Sequence, residues 1–204
     1  MEFKEVVFRR QSIRRFKPEP VPREEILDML RTATQAANAS NKQVWRFIVI
    51  TNDEVKQRMR EAVSQELRRL YELAGRRPPE SDFSSTLFSG APVTIAVAYD
   101  KYESAVEPVM RAAGMSEREI VDRRQRPDIQ SIGACIQLLL CAAYEKGYGT
   151  CWMTAPMVAR PQLETILGIE PPLTLCALVA LGRPAEAPNK TSRRPVEDLV
   201  RFIE

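Results

Sequence analysis

Four arginines and one serine occur within eight residues near the start of the chain, in the stretch RRQSIRRF at positions 9–16. No acidic residue balances this charge, and Ile13 and Phe16 interrupt it. Arginine forks, the Ser12 hydroxyl and the free backbone N–H groups of a helix-to-loop junction together form a good receptor for phosphate. The alternative is a solvated run of charge beside a helix, and the residues alone favour phosphate binding only slightly.

The 204 residues include no histidine. This excludes Ser-His-Asp and Cys-His nucleophilic catalysis, histidine acid–base catalysis and most catalytic zinc sites. The cysteines form no CxxC or CxxH pattern and lie in apolar stretches, which is typical of reduced structural thiols: Cys135, Cys141, Cys151 and Cys176. We therefore expect no metal site, and we expect a cofactor to supply any chemistry.

Two other polar stretches are ambiguous, ANASNKQVW at 37–45 and GYGTCWMT at 147–154. The first could end a helix and form a loop, or its small side chains could let a flat ligand approach the backbone and hydrogen-bond at its edge. In the second, the glycines could simply make a turn, and Trp152 and Met153 could belong to the core. The residues leave both alternatives open.

Hydrophobic periodicity predicts the secondary structure. Helices are expected over residues 2–10, 22–38, 53–74, 129–144 and 161–167, with a further helix at the C-terminus. Strands are expected over residues 44–51, 91–99, 149–154 and 173–182. Asp128 is a candidate N-cap of the uncharged helix and Gly147 a candidate C-terminal stop. Residues 102–127 are charged and weakly periodic, which predicts one or two exposed helical pieces.

Apolar strands separated by helices predict a sheet that is covered on both faces, and they favour parallel strands. The helix over residues 129–144 is apolar nearly all round, so it must be central to a core or to a subunit interface, and we favour a homodimer. Its uncharged run of 16 residues is shorter than the roughly 20 of a membrane-spanning helix. We expect one globular domain over residues 1–204.

The net charge is only +3, so the basic character is local. Aromatic residues make up 7% of the chain and lie mostly in strand-like stretches, which disfavours nucleic-acid binding by interleaved arginines and aromatics. Charged residues follow Met1 directly, so we expect no signal peptide and a cytoplasmic protein that does not bind membranes.

Six motifs in order resemble the nitroreductase family of FMN-dependent oxidoreductases, over residues 6–200. They are RRxSxRxF, the helix P-x-E-x-I-x-x-x-L, the loop and strand N-x-Q-x-W-x-F-I-V, the APV strand with the uncharged helix, the GxGTCWM turn, and LGRP with a basic RRP tail. The resemblance implies an α+β fold with a mixed, mainly antiparallel sheet flanked by helices, which replaces the parallel expectation. It also implies an intertwined homodimer with the long helix and two FMN sites at the interface.

The resemblance also implies site residues. In the first stretch FMN would be held by Arg10, Gln11, Ser12 and Arg14, with Arg10 and Arg14 closest to the phosphate and ribityl chain. In the tail, Arg193 would reach the phosphate, with Lys190 assisting.

The isoalloxazine ring would contact two further segments, by the same resemblance. The loop residues are Ala37, Asn38, Ala39 and Asn41, with residues 37–39 given by the partner subunit. Trp152 and Met153 would line one ring face, and the backbone N–H of Thr154 or Ala155 would face N5. The chain departs from the family's P-S-x-x-N-x-Q-P-W in this loop, because Ala37, Asn38 and Val44 replace the prolines and the serine. Asn38 can still hydrogen-bond to the ring edge.

The implied reaction passes hydride from NAD(P)H through flavin N5 to a nitroaromatic, a quinone or a similar acceptor, by ping-pong turnover. No side-chain base is required. Residues 102–127 are a candidate lid in which Glu107, Arg111 and Arg118 shape acceptor choice. Two alternatives stay open: a flavin-binding or sensory protein without NAD(P)H turnover, and a relative of the fold that modifies flavin or removes halide.

Overall fold

The computed structural model describes residues 1–185, 187 and 191–204. Within these ranges the helices are α1 (Phe3–Arg9), α2 (Arg23–Ala33), α3 (Asp53–Leu73), α4 (Phe83–Thr86), α5 (Val106–Ala112), α6 (Glu117–Arg124), α7 (Pro127–Glu145) and α8 (Arg160–Leu167). The strands are β1 (Trp45–Ile50), β2 (Val93–Tyr99), β3 (Gly149–Met153) and β4 (Thr174–Gly182). The strands and the long helices therefore lie close to where periodicity predicts them.

The four strands form one sheet in the order β1-β2-β4-β3, and every neighbouring pair is antiparallel. The parallel arrangement that strand apolarity favours is wrong, whereas the α+β fold with an antiparallel sheet is confirmed. Continuous apolar strands indicate only that both faces are covered, and they carry no information on strand direction.

Both faces of the sheet are covered, as predicted. Along β2, Ile95 and Val97 belong to the core on the face of α2 and α7, while Ala96 and Ala98 belong to the core on the face of α3 and α8. Because successive side chains of a strand point to opposite faces, β2 is apolar at nearly every position. The buried sheet is the frame that carries the site.

The long helix α7 begins at Pro127, a favourable first helical residue. Asp128 is not its N-cap. That position belongs to Arg126, and Asp128 lies in the first turn, where its carboxylate pairs with the Arg126 guanidinium at 3.0 Å. Gly147 follows the end of the helix with a φ of 76°, as expected for a C-terminal stop. No helix in the described ranges is both long and apolar enough to cross a membrane.

Two helix predictions are wrong, one about where a helix ends and one about whether a helix forms. α2 stops at Ala33 rather than near Asn38, because the next residues form tight turns in which Gln35 N–H bonds the Thr32 carbonyl. The C-terminal helix is absent from the described tail, which forms only a 3₁₀ turn at Val196–Leu199. Its apolar side chains are exposed, and a short helix without a packing partner is marginal.

The 102–127 segment contains two helices, α5 and α6, as predicted. Arg111 joins its two halves by pairing with Glu103 at the start and with Glu117 on α6. At the first turn of α6, Ser116 and Glu119 form a capping box. The segment is therefore held together mainly by its own charged side chains.

Candidate functional site

The stretch after α1 forms a strap (residues 10–16) along the edge of the sheet. The Ile13 N–H donates a hydrogen bond of 2.9 Å to the Thr150 carbonyl, and Ser12 forms a parallel bridge with Thr150. Further on, Phe16 forms an antiparallel bridge with Pro184, just after β4. The strap is thus fixed by backbone pairing to β3 and to the segment that follows β4.

Two glycines permit the strap to lie this close. A Cβ at Gly149 would stand 2.5 Å from Ile13 Cγ1 and 2.7 Å from Ile13 Cβ. A Cβ at Gly182 would stand 2.7 Å from Pro92 Cδ and 3.2 Å from Phe16 Cδ1. Both glycines are therefore required by close approach.

The arginines of the RRQSIRRF stretch differ in their partners. Arg9 pairs with Glu5 at 3.0 Å on the surface of α1. Within the described parts of the chain, neither Arg10 nor Arg14 lies at ion-pairing distance from a carboxylate. Burial raises the pKa of the Cys151 thiol, and the positive charge of Arg14 opposes that rise, which places Arg14 beside β3.

The C-terminal tail returns to the strap. Thr191 Oγ1 donates to Gln11 Oε1 at 3.4 Å, and Arg193 Nη1 donates to Thr191 Oγ1 at 2.8 Å. The structure therefore brings Arg193 near Gln11, from opposite ends of the sequence. Lys190, the other predicted tail residue, lies outside the described residues.

The loop that follows α2, residues 37–43, closes on itself through Asn38. The Asn38 Oδ1 accepts a hydrogen bond of 2.9 Å from the Gln43 N–H, and Asn38 Nδ2 donates to the Ala36 carbonyl at 3.1 Å. The carbonyl of this side chain is thus used within the loop, and one amide N–H remains for a ligand.

The same loop has an unusual backbone. Ser40, Asn41 and Gln43 have φ values of 51°, 50° and 46°, in the left-handed region that non-glycine residues rarely adopt. The Ala39 N–H donates a hydrogen bond of 3.1 Å to Ser131 Oγ on α7. Left-handed residues of this kind concentrate at functional sites and persist where the surroundings hold them.

The end of β3 separates the two predicted ring contacts. Trp152 is 40% exposed, and its indole packs at Gly133 of α7, where an added Cβ would stand 3.6 Å from Trp152 Cη2. Met153 points to the opposite face and is buried in the core beside α3. The prediction that both side chains line one ring face is therefore wrong, since successive strand residues alternate. Thr154 and Ala155 are exposed just beyond the strand.

The predicted site residues fall into two clusters within one protomer. One contains the strap, Thr150 and the tail, and the other contains the 37–43 loop and Ser131. No hydrogen bond joins these clusters in the described ranges. Trp152 and Gly133 lie between them, on β3 and α7. Sequence reasoning missed Ser131, although a serine in an otherwise apolar helix was the available signal.

A cavity of about 510 Å³ opens beside the strap, a volume within the usual range of ligand pockets. Of the predicted cofactor residues that the structure describes, only Gln11 lines it, and the rest of its described wall is mainly apolar, with Ile13, Tyr144, Tyr148 and Pro184.

The cysteines are free in the structure. Burial raises the pKa of Cys135 to about 12, and it raises the pKa of Cys151 and Cys176 as well. These three thiols stay protonated at neutral pH, so they are poor nucleophiles. No cluster of three or more possible metal ligands occurs in the part of the chain that is described.

Known proteins share this architecture. A solved BluB-like flavoprotein from Clostridium difficile 630 superposes with a TM-score of 0.90 and 28% identity, over 100% of both chains. Relatives that match 98% of this chain include a 4-nitrobenzoate reductase of Nocardioides sp. (28% identical, 90% of its length), an NADH dehydrogenase of Thermus thermophilus (27%, 95%) and an iodotyrosine deiodinase of Nematostella vectensis (27%, 74%).

The family model of the nitroreductase family matches residues 7–183. The fold and the match define the class, that of the flavoprotein oxidoreductases. Within this class the chain belongs to the nitroreductase family, as the order of its motifs predicts.

Proposed function

We propose that this protein binds FMN and passes hydride from NAD(P)H to a nitroaromatic, a quinone or a similar acceptor. One observation carries the proposal: among the described residues Arg10 and Arg14 have no carboxylate partner, and the tail brings Arg193 through Thr191 to Gln11 of the same strap. Guanidinium groups that are not paired with carboxylates suit a phosphate ester, which accepts several charge-assisted hydrogen bonds.

Different residues would contact the phosphate end and the ring of FMN. Arg10, Arg14 and Arg193 would hold the phosphate and ribityl chain, with Gln11 and Ser12 beside them. The exposed backbone after β3, at Thr154 and Ala155, would face the ring, with the Trp152 indole at its side. When bound, FMN would supply the hydride chemistry, and the three guanidinium groups would balance the charge of its phosphate.

A homodimer is part of the proposal. One face of α7 is half-exposed in the single protomer, along Ala134, Leu138, Cys141 and Tyr144 at helical spacing. The 37–43 loop is separate from the strap of its own chain. We infer that α7 packs on a second copy and that the partner's loop completes each ring site. We also propose a single domain in the cytoplasm.

Reductive removal of halide from an aromatic ring is the second candidate. The relative from Nematostella vectensis, an iodotyrosine deiodinase, supports it across 98% of this chain. Both reactions use the same reduced cofactor, so they differ only in the acceptor that reoxidises it.

The test is an anaerobic visible spectrum of the purified protein with FMN. Bleaching of the flavin band by NADH or NADPH is expected, followed by recovery on adding a nitroaromatic or a quinone. Recovery with 3-iodotyrosine alone would favour the second candidate. Arg14→Gln should weaken FMN binding at least about tenfold, whereas Arg9→Gln, whose side chain pairs with Glu5, should not. A protein that binds no FMN contradicts the proposal.

A further inference from the structure

A second groove, of about 280 Å³, lies at one end of the sheet. β1 begins there and β2 ends there, since Trp45 pairs with Tyr99, and the Asp100 N–H extends the pairing by a bond of 2.9 Å to the Val44 carbonyl. The lining residues are Lys42, Val44, Arg46, Asp100, Lys101, Tyr102 and Glu103. The ends of two core strands thus fix the groove.

The groove shares a wall with the 37–43 loop. Lys42 belongs to the loop, and Ser40 Oγ lies 2.9 Å from Tyr102 Oη, a distance that makes a hydrogen bond between the loop and the opposite wall. A molecule that reaches the ring site over this loop would therefore pass the groove.

Two cations of the groove have no carboxylate partner among the residues that the structure describes. Neither Lys42 nor Arg46 is at ion-pairing distance from an acid in the described ranges. Arg46 Nη1 donates to the carbonyls of Gln43 at 3.2 Å and Trp45 at 2.8 Å, which orients its guanidinium. Its Nε and Nη2 groups are left to donate to a ligand.

Two charged residues of the groove have partners outside it. Glu103 pairs with Arg111, and Lys101 lies 4.0 Å from Glu117 on α6. The charges that remain in the groove are those of Lys42, Arg46 and Asp100, so the groove carries an excess of positive charge. The oriented guanidinium of Arg46 and the flexible ammonium of Lys42 together suit an anionic oxygen group.

We propose that this groove binds the anionic group, phosphate or carboxylate, of a substrate that enters the ring site. The inference rests on the proposed function and assigns Lys42 and Arg46 to substrate choice. Two sources share this chemistry: the 2′-phosphate of NADPH, and a carboxylate on an aromatic acceptor. Exposed ion pairs of this kind contribute modestly to the free energy of binding and are screened by salt. The preference for the anion should therefore depend on ionic strength.

The test is a calorimetric titration of the purified protein, which needs no turnover. Adenosine 2′,5′-bisphosphate is compared with adenosine, and 4-nitrobenzoate with 4-nitrobenzyl alcohol, at low and at physiological ionic strength. We expect one anion to bind about 5-fold more tightly than its neutral counterpart, and Lys42→Gln to remove most of that preference. Lys42→Arg should retain it. Arg58→Gln, which removes a cation from the far side of the sheet on α3, is the matched control.

The pair that shows the preference identifies the source of the anion. Equal binding of anion and neutral counterpart by the wild type overturns the proposal, as does a preference that Arg58→Gln removes as fully as Lys42→Gln. The two proposals fail separately: anion preference is measured without flavin reduction, and flavin bleaching by NADH, which carries no 2′-phosphate, does not depend on Lys42.

Discussion

The backbone N–H of Ala39 donates a hydrogen bond of 3.1 Å to the Ser131 hydroxyl, which lies 92 positions further along the chain. Ser131 is buried, and its hydroxyl donates to the Pro127 carbonyl at 2.7 Å, so its oxygen can only accept from the loop. This contact anchors a loop that contains three residues in the left-handed region. The first turn of α7 therefore keeps the loop in its strained shape.

Ser131→Ala removes this anchor without adding bulk. We expect the dissociation constant of FMN to rise about 5-fold, equivalent to the roughly 1 kcal/mol of one hydrogen bond, because the loop must then be ordered on binding. Quenching of FMN fluorescence measures it. Ser89→Ala is the control, since Ser89 also donates to a backbone carbonyl but lies far from the loop in the sequence. Equal FMN affinity in both variants would falsify the role of Ser131.

Gly149→Ala should displace the strap. The new Cβ would stand 2.5 Å from Ile13 Cγ1, and relief requires a shift of the Ile13 backbone, which carries the bond to Thr150. We expect a loss of about 1–3 kcal/mol in unfolding free energy and weaker FMN binding. Urea unfolding and FMN titration measure the two effects. Gly90→Ala, where no atom lies within 4 Å of the added Cβ, should change neither. An unchanged Gly149→Ala protein contradicts the close packing of strap and strand.

Leu138→Arg should separate the proposed subunits. Leu138 lies on the half-exposed face of α7, and a guanidinium there would be buried without a partner in the dimer. Sedimentation should show a monomer with weakened FMN binding. Leu73→Arg is the matched control, because Leu73 is 72% exposed at the end of α3 and should leave the dimer intact. A dimeric Leu138→Arg protein would place the interface elsewhere.

Stability should fall at alkaline pH. Burial raises the pKa of Cys135 to about 12, above the ordinary thiol value of about 8.5, so the native state keeps a proton that the unfolded chain releases. The free energy of unfolding should therefore decrease as pH rises from about 8.5 towards 12. Urea unfolding across this window measures the slope. In Cys135→Ala the slope should be shallower, and an identical slope would contradict the assignment.

Sequence patterns predict where the helices and strands of this fold lie better than they predict how the strands are arranged in the sheet. The apolar run of β2 places a buried strand correctly, because Ile95 and Ala96 must each face a core. Its antiparallel direction depends on which strands meet in space, and no local pattern carries that information. The predicted C-terminal helix fails for a similar reason, since its helical periodicity has no surface to pack against in the protomer.

Residue type proposes only part of the site. The arginines and Ser12 of RRQSIRRF slightly favour phosphate binding from the sequence itself, the family resemblance singles out Arg10 and Arg14, and both stay predictions. Ser131 contacts the 37–43 loop, which is distant in the sequence, and the pleat of β3 places Met153 on the opposite face from Trp152. Such relations arise from tertiary geometry.

The strap has one further consequence, because β3 is an edge strand of the sheet. An uncovered edge offers unpaired backbone groups to any other strand and is a starting point for aggregation. The bond from Ile13 to Thr150 closes part of that edge. The segment proposed to hold the cofactor thus also protects the sheet edge from pairing with a strand of another chain.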